Sequence, residues 1–312
     1  MRRSALAAAL LAAASFAGRA PAAPAITVTL LGTGNPRPAI RGGPAILVEG
    51  GGRALLFDAG RGAEEALFAR HAKVDALFLT HLHSDHTVGL PDVWLTGWLF
   101  GRSVPLRIFG PSGTEGLCRG LERAYAFDVH VRRDVDEKLP ARGADLDPRE
   151  IGDGSVVDEG PLRVTAFLVE HGPVRPALGY RIDAGGHSVV LSGDTRPSEN
   201  LVKHALGTDV LVHEVIAPDA ERGGAAASFS REQRERIIAH HTTPEQAGEI
   251  FARVKPKLAV YSHIVPSFAT AGDLVAPTRK KYAGALEVGE DGMTIEIGDT
   301  VRVIHPERPT TR

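Results

Sequence analysis

An α/β fold is predicted by three features of this 312-residue sequence. Short β-branched and apolar runs interleave with longer stretches of helical periodicity from Ile26 onward. Several of those runs stop at a His or an Asp, so polar groups collect at strand exits. Hydrophobic residues make up 43% of the chain, enough for a sizeable buried core. No repeat, low-complexity tract or Gly/Ser-rich or Pro-rich linker divides residues 23–312, which are therefore expected to form one domain.

Residues 1–22 differ. Arg2 and Arg3 precede the alanine-rich apolar stretch Ala5–Ala14, and Ala20, Pro21 and Ala22 supply the small residues a signal peptidase reads. This predicts a secretory signal peptide and an exported protein, periplasmic or secreted; the arginine pair raises a twin-arginine route. The stretch is too short for a stable anchor, and no other segment approaches about 20 apolar residues, so no membrane anchor is expected. Removing the leader takes away Arg2, Arg3 and Arg19 and no acid, leaving 33 basic against 38 acidic residues. Grip on long nucleic acid rests on a basic surface that displaces counterions, so this balance argues against such a partner. Cys118 stands alone, excludes an internal disulfide, and is expected as a packed core thiol.

Taken in order, Ile26–Leu31 is a strand that breaks at Gly32, Thr33, Gly34, Asn35 and Pro36, a turn at the rim of a site. It lacks the GxGxxG pattern of a nucleotide loop. Ala45–Val48 and Ala54–Phe57 form a hairpin across Gly50, Gly51 and Gly52, with Asp58 at its exit and a helix over Ala63–Ala69. Ala76–Leu79 is a buried strand. Leu90–Phe100 carries Trp94, Leu95, Trp98 and Leu99 at helical spacing, a core stripe rather than a pocket wall. Pro105–Phe109 reads as a strand, Gly113–Ala126 as an amphipathic helix, and Asp128–Glu159, with mixed charges, Pro140 and Pro148, as irregular surface. Leu162–Val169 is a strand that delivers Glu170 and His171. Tyr180–Asp183 and Ser188–Ser192 pair across Gly185 and Gly186, with Asp194 beyond. Val210–Val212 ends in His213 and Glu214. Residues 217–238, with a Gly-Ala tract and Arg222, Arg231, Arg234 and Arg236, read as an insertion at the mouth of the site, placed to act as a mobile lid. Thr243, Pro244 and Gln246 open a helix through a capping box, which puts His241 in its entry loop. Leu258–Ser262 is a strand ending at His263.

The densest chemistry is His81, Leu82, His83, Ser84, Asp85, His86, just after the Ala76–Leu79 strand. Three imidazoles and a carboxylate at a strand end read as a metal site, because a short loop lets ring nitrogens converge and divalent zinc takes both ligand types. The competing reading, a polar turn that happens to be rich in histidine, leaves that convergence unexplained.

This HxHxDH run, together with Ser192, Gly193, Asp194, Thr195, Arg196, Pro197, resembles the metallo-β-lactamase superfamily and, within it, the ribonuclease Z branch, over roughly residues 26 to 305. The resemblance implies an αββα sandwich, two mixed β-sheets face to face with helices outside. It implies that His81, His83 and His171 hold one metal and Asp85, His86 and His263 the other, with Asp194 bridging. The implied cofactor is two Zn²⁺, with Mn²⁺ or Fe open. A hydroxide shared by the metals, its pKa drawn toward about 7, would be the nucleophile, and Asp85 could orient it. His241, held by Glu214, is implied as general acid for the leaving group, with His240 as the rival for that role. Asp58 is implied to hold the first metal loop without touching metal. The competing reading is a cap for the helix Ala63–Ala69. His71, His130, His187, His204, His213 and His305 fit no motif and read as surface or packing residues.

Enzymes of this branch that trim transfer RNA often carry a protruding arm before the bridging Asp, and the 22 residues between His171 and Asp194 leave no room for one. Together with the leader, this shifts the expected substrate to a small anionic ester, a phosphodiester or an aryl sulfate, met by Arg196 and the lid arginines. Alternatives on the same site are a lactone hydrolase, with β-lactams disfavoured by Asp194, and a metal-bound binding protein without turnover. Electron-passing di-iron relatives typically place Glu where this chain has His83, and no flavin domain follows. Related hydrolases often dimerise, so the resemblance also implies a homodimer.

Overall fold

The computed structural model describes residues 23–36, 40–220 and 229–307. The expected signal peptide lies outside the described residues. Among those described, no helix is long and apolar enough to cross a membrane.

Two sheets lie face to face. Eight strands of the described chain form the first, in spatial order Val301–Ile304, Thr294–Ile297, Ile26–Gly32, Ala45–Gly50, Arg53–Phe57, Ala76–Phe78, Leu106–Gly110 and Leu146–Glu150. Seven form the second: Leu286–Val288, Leu258–Val265, Val210–Ile216, His187–Leu191, Val174–Ala184, Leu162–His171 and Val156–Glu159. Each sheet is mixed. Pairing is parallel from Arg53–Phe57 to Leu146–Glu150 in the first and from Leu286–Val288 to His187–Leu191 in the second, and antiparallel elsewhere. Parallel neighbours need crossover helices, which cover the outer faces.

The alternating strand pattern buries three apolar layers. Between the sheets, Phe57, Phe78 and Phe109 stack at centroid spacings of 5.0 and 4.9 Å, and the Tyr180 hydroxyl donates to the Leu79 carbonyl at 2.6 Å. Outside the first sheet, Trp94 and Cys118 are buried with Leu77 and Ile108. Outside the second, Phe251 and Tyr261 pack with Ile250 and Leu274. Trp98 is also buried, and the indoles of Trp94 and Trp98 donate to the carbonyls of Ala144 (3.1 Å) and Pro140 (2.9 Å). The Leu90–Leu99 helix is therefore core. Burial pushes the Cys118 thiol up to about 12, as expected of a packed, inert sulfur.

Several boundaries differ from the sequence reading. The surface stretch 128–159 contains two edge strands, Leu146–Glu150 and Val156–Glu159, and Pro148 is tolerated in the first because that strand has a neighbour on one side only. The strand holding Tyr180 begins at Val174, so it and Leu162–His171 make one long hairpin through Gly172 and Pro173. A helix, Ala271–Arg279, and three strands follow His263, none of them evident from periodicity. The strands after Val210 and Leu258 do not stop at His213 or Ser262 but run on to Ile216 and Val265.

Candidate metal centre

The histidines and aspartates that the sequence scatters over some 180 positions meet at one end of the sandwich. From the first sheet come His81 and His83, in the loop after Ala76–Phe78, and Asp85 and His86, on the one-turn helix Ser84–Thr87. From the second come His171, the last residue of its strand, Asp194, in the loop after His187–Leu191, and His263. Gly193 aims Asp194 inward: its φ is +59°, and a Cβ there would stand 2.5 Å from the Leu178 carbonyl. His263 sits on a bulge, where His213 pairs with Tyr261 but Val215 with Ile264, and its own φ is +42°. The extra residue is what turns the imidazole into the site from mid-strand.

Two trios form. His81 Nε2 and His171 Nε2 lie 3.0 and 3.3 Å from His83 Nδ1, and His263 Nε2 lies 3.3 Å from Asp85 Oδ2, with His86 Nε2 3.7 Å from the same oxygen. Asp194 Oδ2 stands between them, 3.9 Å from His81 Nε2 and His171 Nε2 and 3.4 Å from His86 Nε2 and His263 Nε2. Donors about 2.0–2.1 Å from one tetrahedral ion are separated by roughly these distances.

The far side of each ring fixes what it offers. Asp58 Oδ2 can only accept, so His86 Nδ1, 2.8 Å away, carries the proton and its Nε2 is a lone pair. Thr80 spends its hydroxyl proton on Asp58 Oδ2 (2.8 Å) and so accepts from His81 Nδ1 at 3.0 Å, while His171 Nδ1 donates to the His240 carbonyl at 3.1 Å. Three Nε2 lone pairs thus converge on carboxylates, acceptor upon acceptor. His86 Nε2 and Asp194 Oδ1 are buried with no hydrogen-bond partner. Such a set calls for positive charge, which bound cations would supply. The electrostatics agree: burial holds His81 well below the usual histidine range and takes His171 down to about 4. At His86 burial again opposes charge, yet the carboxylates of Asp194 and Asp58 draw a proton onto the ring and raise it. The pocket is short of positive charge. His and Asp clusters compatible with a metal-binding site are therefore present in the fold.

Asp58 itself accepts from Thr80 N as well (2.8 Å), so one buried carboxylate pins both the loop and the His86 ring. Thr80, which links Asp58 to His81, was missed in the sequence although it immediately precedes the motif. On the opposite wall, Glu214 Oε1 accepts from Thr195 N (3.0 Å), His241 Nδ1 (3.1 Å) and Thr242 N (3.2 Å), tying the Asp194 loop to the His241 loop. The Thr243–Gln246 capping box forms, with Pro244 at the first helical position, and so fixes that loop. Burial alone would push His241 down; Glu214 overrides it and carries the ring up to about 9. His240, half-buried, has its carbonyl under His171, and the Glu214 carboxylate falls to its neighbour instead. His241 also lies near enough to Asp194 and His263 to form a third group of possible ligands.

Above the centre opens a cavity of about 510 Å³. Asn35 and Pro36 stand at its rim, and the described parts of 217–238 form one wall, through Ala217, Pro218, Phe229 and the helix Arg231–Ile238. Arg222 and the rest of 221–228 lie outside the described residues. The expectation that Arg196 meets the substrate is corrected: it is paired with Glu170 (Nη2 to Oε2, 2.5 Å) and faces a separate groove behind His171. Arg231 pairs with Glu235 on the helix surface, and of the described lid arginines Arg234 alone lines the cavity. His213 is fully buried, its Nδ1 donating to the Glu214 carbonyl at 2.7 Å, in keeping with a packing residue.

A family model described as a β-lactamase superfamily domain matches residues 53–264. The ribonuclease Z of Mycobacterium avium (strain 104) is 37% identical over 281 residues, which cover 87% of this chain and 98% of that protein. The ribonuclease Z of Mycobacterium bovis (strain BCG / Pasteur 1173P2) is 32% identical over 294 residues, 91% and 100% of the two chains. Among solved structures, the metallo-β-lactamase fold protein YhfI from Bacillus subtilis superposes with a TM-score of 0.66 at 20% identity, covering 86% of this chain and 98% of its own. The short form of human tRNase Z does so at 0.63 and 24%, covering 87% and 99%. At those identities the two structures speak for the fold, and the curated relatives for the branch. The chain belongs to the β-lactamase superfamily, as a metal-dependent hydrolase of the ribonuclease Z type.

Proposed function

We propose that the chain hydrolyses a small phosphodiester, or a related anionic ester, at a two-cation centre. One observation carries the reading: Asp194 Oδ2 stands 3.4 to 3.9 Å from a nitrogen of His81, His171, His86 and His263, between the two trios. A carboxylate so placed could serve a cation held by either trio. In this reading His81, His83 and His171 hold one cation and Asp85, His86 and His263 the other, with Asp194 shared. Zinc fits the imidazole and carboxylate set, as do manganese and iron. When bound, the cations would supply Lewis acidity toward the ester and a water of lowered pKa.

The chain's own groups do the rest. Arg234 lines the cavity wall that an anionic substrate would meet. Asp85 is placed to orient the attacking water. His241, oriented through Nδ1 by Glu214, holds a proton at Nε2 toward the cavity and delivers it to the leaving oxygen. Residues 1–22 complete the proposal as a secretory leader. The test is a hydrolysis panel on the purified protein with its metal content measured alongside: an activated phosphodiester, an aryl sulfate, an acyl lactone and a β-lactam. Preference for the phosphodiester with about two metal ions per chain supports the reading. Preference for the lactone moves the activity to ring opening, and silence on all four with metal bound refutes it.

A further inference from the structure

We infer that the substrate carries an apolar substituent, alkyl or aryl, that lies against the wall of the cavity above the metal centre. The inference rests on the hydrolase reading for the position of the scissile bond, and on the wall for its own content. Over the polar floor of His83, Asp85, Asp194 and His263, the walls are built from Ile216, Ile237, Ile238, Val265 and Phe268, drawn from three separate segments of the chain. Phe229, 51% exposed, extends the apolar surface to the mouth. Among the described lining residues, Arg234 brings the one Lys or Arg side chain. A binding site for RNA draws chiefly on a run of cations that tracks the backbone. Aliphatic walls over a floor of imidazoles and carboxylates match a hydrocarbon joined to the ester group. At about 510 Å³ the cavity falls within the roughly 300–1,000 Å³ range of small-molecule sites.

Apolar walls make a graded demand. Each methylene that leaves water for such a surface strengthens binding by about three- to fourfold, until the cavity is full. The experiment titrates methyl, butyl and octyl phosphate, below micelle-forming concentrations, into the zinc-loaded full chain by isothermal calorimetry. In parallel it measures hydrolysis of the matching alkyl p-nitrophenyl phosphates, which share one leaving group. The expected result is affinity that climbs with chain length, a negative heat-capacity change of binding, and kcat/KM that climbs in step. Ile238→Asp and Ile237→Asp, each on a half-exposed helix position, flatten the climb. Affinity independent of chain length overturns the inference, as does a nucleoside monophosphate that binds more tightly than octyl phosphate. A climbing affinity without turnover of any ester upholds the apolar wall and refutes the hydrolase reading instead. Turnover of every ester at one rate, with flat affinity, does the reverse.

Discussion

Replacing Asp58 by Asn tests how far the metal centre depends on a residue that never faces the metal. The carboxylate takes three hydrogen bonds of 2.8 Å, from Thr80 N at Oδ1 and from Thr80 Oγ1 and His86 Nδ1 at Oδ2. An amide has one oxygen, so whichever way it turns, its NH₂ meets a donor. If the oxygen keeps Thr80 N, the NH₂ faces His86, whose ring must move its proton to Nε2 and so withdraw a lone pair from the centre. If it turns round, the backbone of the metal loop is left unpaired. Either state costs one buried interaction, a hydrogen bond or a lone pair facing the centre, about 1–3 kcal/mol, which is roughly 5- to 150-fold in metal affinity. Losses of 10–100-fold are usual for partners of this kind. The backbone is a fair control, because Asp58 has φ +59° and Asn tolerates that region. Competition for zinc against a chromophoric chelator measures the affinity, and thermal melting of the chelator-stripped protein measures the fold. Wild-type zinc affinity at both positions in Asp58→Asn would refute the tautomer argument and, with it, the lone-pair reading of His86.

Three further outcomes follow from the same geometry. Asp194→Ala removes the oxygen between the trios, and should lower metal-dependent hydrolysis by more than the roughly hundredfold typical of outer partners while leaving a soluble protein; unchanged turnover would sink the two-cation assignment. His241→Ala should slow esters with poor leaving groups by about 10²–10⁴-fold and spare p-nitrophenyl esters, and equal losses on both would remove it as the proton donor. Cys118, buried with its thiol pushed up to about 12, should resist a thiol reagent at pH 8 until the chain unfolds; rapid stoichiometric labelling of the native protein would contradict the packing around it.

What the sequence disclosed and what it hid divide along physical lines. The His81–His86 run was legible because its ligands lie within one loop, where spacing alone reports convergence. The Thr243–Gln246 cap was legible for the same reason, since a capping box is a local pattern. The strand from Val174 was not, because Gly172, Pro173 and Pro176 signal a turn, and only the pairing with Leu162–His171 overrules them. Nor could the bulge that presents His263 be read, since a shift of register belongs to two strands at once. Arg196 misled because its charge was visible and its partner, Glu170, was not known to lie beside it. The apolar wall is the deepest omission: Ile216, Ile237, Val265 and Phe268 each look like ordinary core in isolation, and line one cavity only where the segments meet.

The division of the trios between two sheets makes the centre a clasp. His83 and His171 are 88 positions apart and Asp85 and His263 are 178, so neither trio exists until the sheets have docked. Cations would then hold shut an edge that hydrophobic packing brings together. Their contribution falls on the rate at which the clasp opens and not on the rate at which the chain collapses, because contacts made after the folding barrier slow unfolding alone.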